Sequence, residues 1–320
     1  MMDDSFWHEL YVICAECLSV PVFLTNFAVF VSTFVILNST REDLRIATIL
    51  LGNIAFADMC MPLSILFGLF VRYRSSLFCA VELGATVTCT LTSMCCIVLI
   101  AVDRYFFIVH SIRYDHYMTE TRARMLINLS WFLGILFGFV PITMKAIYKT
   151  EEQDDCRFVT PENVDVMLIA GAFAFPLLVA TFALYMAIYL KARAVSKAMW
   201  PAVQKTGVHR LKTRSVIIVF LSSSCFLLTW GPYLVSLMIY GSLCGWNEIS
   251  ERREVCFTLE ELMASPLPML GFLNSFMNPI IFAWWHRPFT NALHEIVCPS
   301  RLRKTTRTKS VDVSTITTTS

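Results

Sequence analysis

The chain has 320 residues, of which 56% are hydrophobic, 13% are aromatic and only 16% are charged. A soluble domain of this length rarely carries so few charges, so the composition favours a membrane protein. The formal net charge is +2, and the basic residues are sorted to one side of the apolar segments rather than gathered into a patch. The sequence therefore gives no indication of nucleic-acid binding.

Seven apolar segments follow one another along the chain, and each approaches the roughly 20 residues that a helix needs to cross a bilayer. They cover residues 17–37, 46–70, 80–109, 123–144, 166–190, 215–241 and 263–285. The first could instead be a secretory signal, but acidic residues precede it and no small-residue cleavage site follows it, so we expect it to be retained. The pattern predicts an all-α fold, a seven-transmembrane helix bundle over 17–285 with an N-terminal segment over 1–16.

Lysine and arginine residues are unevenly divided between the two sides of this predicted bundle. Eighteen lie in or beside the first, third and fifth connections and in the C-terminal tail, whereas the opposite side has seven. Because positive residues favour the cytoplasmic side, we expect the N-terminus outside and the C-terminus inside. The tail is rich in Thr, Ser, Lys and Arg, so residues 299–320 are expected to be disordered.

Asp103, Arg104 and Tyr105 lie near the end of the third apolar segment. An arginine at a membrane border is usually a stop charge whose head reaches water. That interpretation explains Arg104 poorly, because a carboxylate is adjacent and apolar residues continue to Val109. A charged pair is costly in lipid, so it predicts a functional site at which the arginine exchanges partners between two packings.

Asp58 is the only charged residue within the second segment. At that depth a carboxylate needs a cation, a proton or a polar network. Ser93 in the third segment and Asn274, Ser275 and Asn278 in the seventh are the candidate partners, since the last three share one helix face. Oxygen ligands suit a hard cation, and sodium is the abundant extracellular one, so a sodium site is predicted here.

Four prolines within the predicted spans are candidates for a kink or hinge, since each frees a backbone carbonyl that neighbours must satisfy. These prolines are Pro141, Pro176, Pro232 and Pro279. Phe226 and Trp230 precede the third of them, where a bulky ring could couple rotamer changes to helix bending. The alternative is that both rings simply fill the bundle core.

Half of the twelve cysteines lie inside spans, where a thiol is usually a small hydrophobic group. Cys79 and Cys156 fall on the predicted outer side, an oxidising compartment in which a disulfide between them is expected. Cys244 and Cys256 share the last outer connection, and a second bridge there is an open alternative. A metal site is the competing interpretation, but no histidine lies near these four in the sequence.

Together these residues resemble the rhodopsin-like (class A) G-protein-coupled receptors, and the resemblance extends over the whole chain. Order, spacing and side of the membrane all agree with the family pattern. The marks are Asn26, Asp58, Cys79, Asp103, Arg104, Tyr105, Trp131, Pro141, Pro176, Phe226, Trp230, Pro232, Asn278 and Pro279.

The resemblance implies a receptor, not an enzyme, that binds an extracellular ligand and activates a heterotrimeric G protein. Arg104 would engage the G protein, and the aromatic and proline marks of the last two spans would take part in activation. The only bound ion implied is an allosteric sodium at Asp58. An amphipathic eighth helix is expected over 286–298, opening near Phe289, with Cys298 as a palmitoylation site.

Hydroxyl groups of the tail, including Ser310, Ser314 and Thr315, resemble the targets of receptor kinases that recruit arrestin. A solvated linker is the alternative for that segment.

Four positions depart from the family pattern. Phe282 replaces a tyrosine whose hydroxyl steadies the active state, and Lys212 replaces a glutamate that would restrain Arg104. Thr229 stands in place of a cysteine, and Leu184 in place of a tyrosine. Because both the inactive restraint and the active-state network are weakened, basal activity is a reasonable hypothesis.

Ligand class is indicated only in part. The position at which amine receptors carry an aspartate is Thr86, so a biogenic amine is not expected. Glu82, one turn further out, could accept a cation or could be a solvated border residue, and Trp230 is the third candidate contact. The short N-terminal segment has no glycosylation sequon, which argues against a large hormone-binding domain. A lipid-like or other small ligand is predicted.

Subfamily resemblance is mixed. The stretch from Ala101 to Thr119 is similar to the melanocortin receptors. Cys156 and Pro176 do not fit that resemblance, because those receptors lack both marks. The stretch from Gly271 to Ala283 is more similar to the glucose-dependent insulinotropic receptor. These features place the chain with the melanocortin, lysophospholipid, cannabinoid and adenosine branch.

The sequence disfavours three other functions. A retinal protein would need a lysine in the seventh span, and 263–285 contains none. A transporter would be expected to show repeated halves or several intramembrane charges, but one deeply placed carboxylate is too few. An enzyme would need an assembled nucleophile or metal set, which the sequence does not offer.

Overall fold

The computed structural model describes residues 4–39, 42–70, 76–110, 113–148, 164–199, 207–244, 253–264, 269–285 and 287–297. Eleven α-helices and one π-helical segment occupy them. The helices are α1 (Asp4–Ser39), α2 (Glu42–Phe70), α3 (Ser76–Val109), α4 (Tyr114–Tyr117), α5 (Glu120–Gly134), α6 (Val140–Tyr148), α7 (Val164–Met199), α8 (Gly207–Cys244), α9 (Arg253–Ala264), α10 (Met269–Trp285) and α11 (Arg287–Val297).

Six helical segments of the described chain are long and apolar enough to cross a membrane. With α10 they form a bundle of seven, which confirms the all-α prediction. The third span is central, since 72% of its apolar window is buried against 17% for the fourth. It contacts α2, α5, α7 and α8, while α1 packs on both α2 and α10. We call the two ends of this bundle the Arg104 end and the disulfide end.

Apolar residues occur on every side of these helices and do not distinguish the buried face from the exposed one. Polar side chains do, because they lie on the buried faces. Leu228 and Phe67 are 74% and 62% exposed and present apolar surface outward, as helices in lipid do. Asn26, Thr48 and Thr92 are fully buried. Small and polar residues allow helices to approach closely and to bond across their interfaces where the hydrophobic effect gives no preference.

The fourth span is built from α5, a π-helical segment over Ile135–Phe139, and α6. Pro141 lies two residues after Phe139, the last residue of this segment, and a proline ring collides with the carbonyl four residues earlier, which a wider turn relieves. A Cβ added at Gly134 would lie 2.6 Å from the Thr92 hydroxyl. The glycine thus lets α3 approach, and Thr88 donates to the Gly134 carbonyl at 3.2 Å.

The seventh predicted span is wrong in its outer part. Its first residues, 263 and 264, belong to α9, and α10 begins only at Met269. Pro266 and Pro268 lie in the sequence between the two helices, and proline cannot continue a helical hydrogen-bond ladder. The first span also differs, because α1 begins at Asp4, within the predicted N-terminal segment.

Disulfides lie at one end of the bundle. Cys244 and Cys256 are bridged, which confirms the second predicted bridge and ties α9 to the last residue of α8. Cys79, at the start of α3, is also disulfide-bonded. Cys156, its predicted partner, lies outside the described residues.

A short helix follows the bundle at the Arg104 end. Phe289 and Ala292 of α11 are buried, and His294 is exposed. The helix packs against α1 and α10, so its apolar side is anchored on the bundle. This confirms the predicted eighth helix, while Cys298 and the tail lie outside the described residues.

Candidate functional site

Arg104 and Asp103 form a buried ion pair near the end of α3. The guanidinium Nε donates to Asp103 Oδ2 at 2.8 Å, and a terminal guanidinium nitrogen donates to the same oxygen. Arg104 is 5% exposed and Asp103 is fully buried. The Phe107 ring lies 5.1 Å from the guanidinium carbon. Arg104 is therefore folded back along its own helix, with its charge balanced by an adjacent carboxylate and an aromatic face.

Tyr114 of α4 completes this cluster, and its role was missed in the sequence. Its hydroxyl donates to Asp103 Oδ1 at 2.7 Å, and its ring packs edge-on against Phe107 at 5.4 Å. Burial first, and then the Asp103 charge, raise the pKa of Tyr114 well above its ordinary value. The hydroxyl thus remains a donor throughout the physiological pH range.

Neighbouring residues hold α4 in place beside Arg104. Phe106 of α3 stacks on Tyr117 at 4.9 Å. Arg122 of α5 donates to the Tyr117 carbonyl at 3.1 Å and also to the His116 carbonyl. Thr119 caps α5 by accepting from the Arg122 backbone N–H at 3.3 Å. The short helix is consequently fixed from both α3 and α5.

A second polar cluster surrounds Asp58, which is 3% exposed. Asn278 Nδ2 donates to one carboxylate oxygen at 2.8 Å, and Ser275 Oγ donates to the other at 3.1 Å. Asn26 of α1 donates to the Ser275 carbonyl at 3.0 Å. Ser93 of α3 lies close to the same carboxylate, without the geometry of a full hydrogen bond.

The donor set of this cluster fits a small hard cation. Asn274 Oδ1 and Asn278 Oδ1 are buried acceptors without a hydrogen-bond partner among the described residues. Together with the Asp58 carboxylate and the Ser93 hydroxyl they supply oxygen atoms alone, which are the preferred ligands of such ions. Of the residues predicted for the sodium site, Ser93, Ser275 and Asn278 therefore lie at the Asp58 carboxylate, and the buried Asn274 precedes Ser275 on α10.

Trp131 of α5 belongs to a third polar contact. Its indole N–H donates to Asn53 Oδ1 at 3.1 Å, and the Asn53 amide donates to Cys96 Sγ at 3.0 Å. The Trp131 ring also packs 5.8 Å from Phe56. One asparagine thus joins α2, α3 and the fourth span.

Trp230 lies at a small cavity of about 40 Å³ between α3, α7 and α8. Phe226, one turn along α8, is fully buried, while Trp230 is 9% exposed. Among the residues that line this cavity only Thr90 and Tyr233 carry a polar side chain besides the indole. The lining consists of Val87, Thr90, Leu91, Met94, Met167, Ala170, Gly171, Ala174, Trp230, Tyr233, Leu234 and Leu237.

The seventh helix approaches the Trp230 ring through a glycine. A Cβ added at Gly271 would lie 2.4 Å from Trp230 Cζ2 and 2.7 Å from Cη2. Any larger residue would displace the indole. Pro279, two turns further along α10, is buried, whereas Pro232 of α8 is exposed.

Glu82 and Thr86, the other two predicted ligand contacts, do not line the Trp230 cavity. Glu82 instead lines a groove of about 610 Å³ between α2 and α3, whose apolar wall includes Phe67. The Thr86 hydroxyl donates to the Glu82 carbonyl at 2.9 Å and is 2.8 Å from Ser64 Oγ. The three residues therefore do not meet in one cavity.

The positions that depart from the family pattern are only partly described. Thr229 donates to the Cys225 carbonyl at 2.8 Å, a hydrogen bond within its own helix. Leu184 packs against the main core. The Lys212 and Phe282 side chains lie outside the described ones.

A seven-helix membrane bundle with a buried carboxylate–arginine pair on its central helix is the architecture of a signalling receptor. Residues 12–282 match the family model for the seven-transmembrane receptors of the rhodopsin family, and the chain belongs to that family. It is a multi-pass plasma-membrane receptor and not an enzyme.

Curated relatives resemble the chain over most of its length. It is 25% identical to the 5-hydroxytryptamine receptor 1B of Felis catus, over 91% of this chain and 87% of the relative. The human 5-hydroxytryptamine receptor 1B is 24% identical, over 91% and 86%. The alpha-1A adrenergic receptor of Oryzias latipes is 23% identical, over 80% of this chain and 60% of the relative.

These relatives agree with the rhodopsin family and leave the finer assignments open. The melanocortin, lysophospholipid, cannabinoid and adenosine branch stays a prediction, as does the ligand class. Two of the relatives' names refer to 5-hydroxytryptamine. This chain has Thr86 at the position where an amine-binding aspartate would be expected.

Tyr114→Phe should lower the stability of the receptor. The change removes the hydroxyl that donates to the buried Asp103 carboxylate, and such a bond to a charged group contributes about 1.5–3 kcal/mol. The Tm of the purified receptor should fall. Tyr117→Phe is the matched control, since Tyr117 lies on the same short helix and is 37% exposed; an equal Tm for both variants would contradict the assignment.

Gly271→Ala should displace the Trp230 ring and reduce thermal stability. Overpacking of this kind costs about 1–3 kcal/mol. Gly231→Ala is the control, because a Cβ there meets nothing within 4 Å and alanine favours the helix. The Tm measurements should therefore separate the two glycines, and a Gly271→Ala variant as stable as Gly231→Ala would show that the ring is not held by this contact.

Proposed function

We propose that this receptor binds an extracellular ligand at the disulfide end and activates a heterotrimeric G protein at the Arg104 end. The observation that carries the proposal is the Asp103–Arg104 pair, buried and held by Tyr114 on the central helix. Orientation follows from the distribution of basic residues, which favours a cytoplasmic Arg104 end and an extracellular N-terminus.

The mechanism rests on a change of partners at Arg104. With the guanidinium bound to Asp103, the arginine is not available to a cytoplasmic protein. Movement of the neighbouring spans would give it a new partner, and a ligand can drive that movement only by binding the second arrangement more tightly than the first. Asp103 and Tyr114 position the arginine in the first arrangement, while the Tyr105 ring packs against His110.

The Trp230 region would connect ligand binding to that movement. Trp230 lines the small cavity and contacts α10 at Gly271, so a ligand that displaces its ring acts on two spans. Phe226 and Pro232 lie on the same helix, and Asn278 and Pro279 on α10. These residues form the proposed path from the cavity toward the Arg104 end.

The ligand proposed here is lipid-like or another small, largely uncharged molecule. Among the described residues that line the Trp230 cavity none carries a carboxylate and most are apolar, which disfavours a protonated amine as the main recognition element. Glu82 and Thr86 would belong to an outer part of the ligand path, since they lie away from that cavity.

A sodium ion is proposed at Asp58, Ser93, Asn274, Ser275 and Asn278. The ion would supply the positive charge that the buried carboxylate lacks. Asp58 would be its anionic ligand, and the hydroxyl and amide oxygens would complete the coordination. Because the donors come from α2, α3 and α10, an ion bound to them favours the arrangement in which these helices stay together.

Further partners belong to the same proposal. Receptor kinases and arrestin would act on the C-terminal tail, and palmitoylation of Cys298 would anchor the end of the eighth helix in the membrane.

A ligand-independent receptor is the second candidate. Lys212 and Phe282 stand where the family carries a restraining glutamate and a tyrosine, so basal signalling is expected. Cellular cAMP should change with receptor expression in the absence of ligand. A cAMP level that neither rises nor falls as receptor expression increases would contradict basal activity through that pathway. A transporter is disfavoured, since the family found here is one of receptors.

Arg104→Ala should abolish G-protein activation. Membranes containing the receptor are screened without ligand against a panel of G-protein families, and nucleotide exchange is measured on the family that responds. The variant should fall to the level of receptor-free membranes, because it lacks the cation that engages the G protein. Arg124→Ala is the control, since Arg124 is 65% exposed in a surface ion pair. Exchange by Arg104→Ala at the wild-type level would refute the mechanism.

Sodium should stabilise the receptor through Asp58. The Tm of the purified protein is compared in sodium chloride and in choline chloride of equal ionic strength. Sodium at about five times its dissociation constant should add about 1 kcal/mol, and Asp58→Asn should lose this difference. Asp115→Asn, at an exposed carboxylate, should keep it. A sodium effect that survives in Asp58→Asn would place the ion elsewhere.

A further inference from the structure

Two thiols on neighbouring helices meet inside the bundle and have no part in the signalling mechanism above. Cys60 of α2 is partly buried, Cys89 of α3 is buried, and both are free. They pack with Met61 and Phe272 in one small cluster. The two thiols lie close enough to interact with each other.

The register of α2 against α3 places these thiols opposite each other. Asn53 Nδ2 lies 3.0 Å from Cys96 Sγ across the same two helices. Cys60 is seven residues after Asn53, and Cys89 is seven residues before Cys96. Seven residues make about two helical turns, so both thiols return to the faces that are in contact at Asn53.

Contacts beside and beyond the thiols show that the helices remain close at this level. Thr90 Oγ1 lies 3.8 Å from Met61 Sδ. One turn further toward the disulfide end, Ser64 Oγ lies 2.8 Å from Thr86 Oγ1. The two cysteines therefore fall within a continuous interface and not at a divergence of the helices.

We propose that Cys60 and Cys89 are an oxidation site, a dithiol that a peroxide converts into a disulfide between α2 and α3. Cys60 is the more accessible thiol and reacts first, giving a sulfenic acid and one water. The Cys89 thiol then attacks the sulfenic sulfur, forming the S–S bond and releasing the second water. The two thiols lose two electrons, and the peroxide accepts them.

The bridge would join the helices next to the Asp58 cluster. Cys60 is two residues after Asp58, and Cys89 is one turn before Ser93. A disulfide requires Cα atoms about 4.4–6.8 Å apart, so it would keep α2 and α3 within that reach and restrain any movement between them at this level.

The experiment treats the purified full-length receptor with graded hydrogen peroxide and then blocks the remaining thiols with N-ethylmaleimide under denaturing conditions. Mass spectrometry of a non-reduced digest identifies linked peptides. Cys60 and Cys89 should lose alkylation together and appear as one linked pair, and a phosphine reductant should restore both. The oxidised receptor should also show an upward shift in Tm that the reductant reverses.

Variants separate this pair from the other thiols. Cys60→Ser and Cys89→Ser should each abolish the linked peptide, while Cys95→Ser, at another buried free cysteine of α3, should keep it. If a variant fails to fold, the presence or absence of the linked Cys60–Cys89 peptide in the oxidised wild-type receptor tests the proposal. Full alkylation of both cysteines at peroxide levels that oxidise methionines, or a bridge from Cys60 to Cys14, would overturn the site. A bridge without a Tm shift would overturn the restraint.

Discussion

A guanidinium buried among membrane helices requires a counter-charge, and Asp103 supplies it from the adjacent position. This pairing governs the Arg104 end. The carboxylate has a second oxygen to satisfy, and Tyr114 reaches it only because α4 is held against α3 by Phe106 and against α5 by Arg122. The short helix α4 thus bonds to the ion pair through Tyr114. It also links the third and fourth spans at the end of the bundle that a partner would approach.

The same requirement, that polar groups in lipid find partners in neighbouring helices, organises the rest of the bundle. Asn26 joins α1 to α10, Asn53 joins α2 to α3 and the fourth span, and Asp58 joins α2 to α10. Apolar residues at these three positions would leave the lipid-facing surface unchanged, but the helices would lose the hydrogen bonds that select their partners. Polar residues therefore determine the arrangement of helices that apolar surface alone cannot determine.

Most of the fold could be predicted because membrane-spanning helices are visible as long apolar segments. Part of the Asp58 set could be predicted because a lone carboxylate in a span needs partners and three of the candidates share one face of the last span. Other features depend on contacts that no segment reveals by itself. The hydrogen bond from Tyr114 needs the position of α4, and the separation of Glu82 from the Trp230 cavity needs the rotation of α3. The start of α10 at Met269 is not visible in the pattern, because the apolar composition continues across Pro266 and Pro268. The need for glycine at position 271 depends on the Trp230 ring of another helix.

The length of α10 has a consequence for the bilayer. A helix of 17 residues is about 25 Å long, roughly 5 Å less than the hydrocarbon core of a typical membrane. Such a deficit is met by local thinning or by apolar residues at the flank. The α9 helix offers Val255 and Leu262, which are 49% and 40% exposed, close to the bridged end of α8. The thickness of the surrounding membrane thus bears on the position of the seventh span, and with it on the asparagines and serine that this span contributes around Asp58.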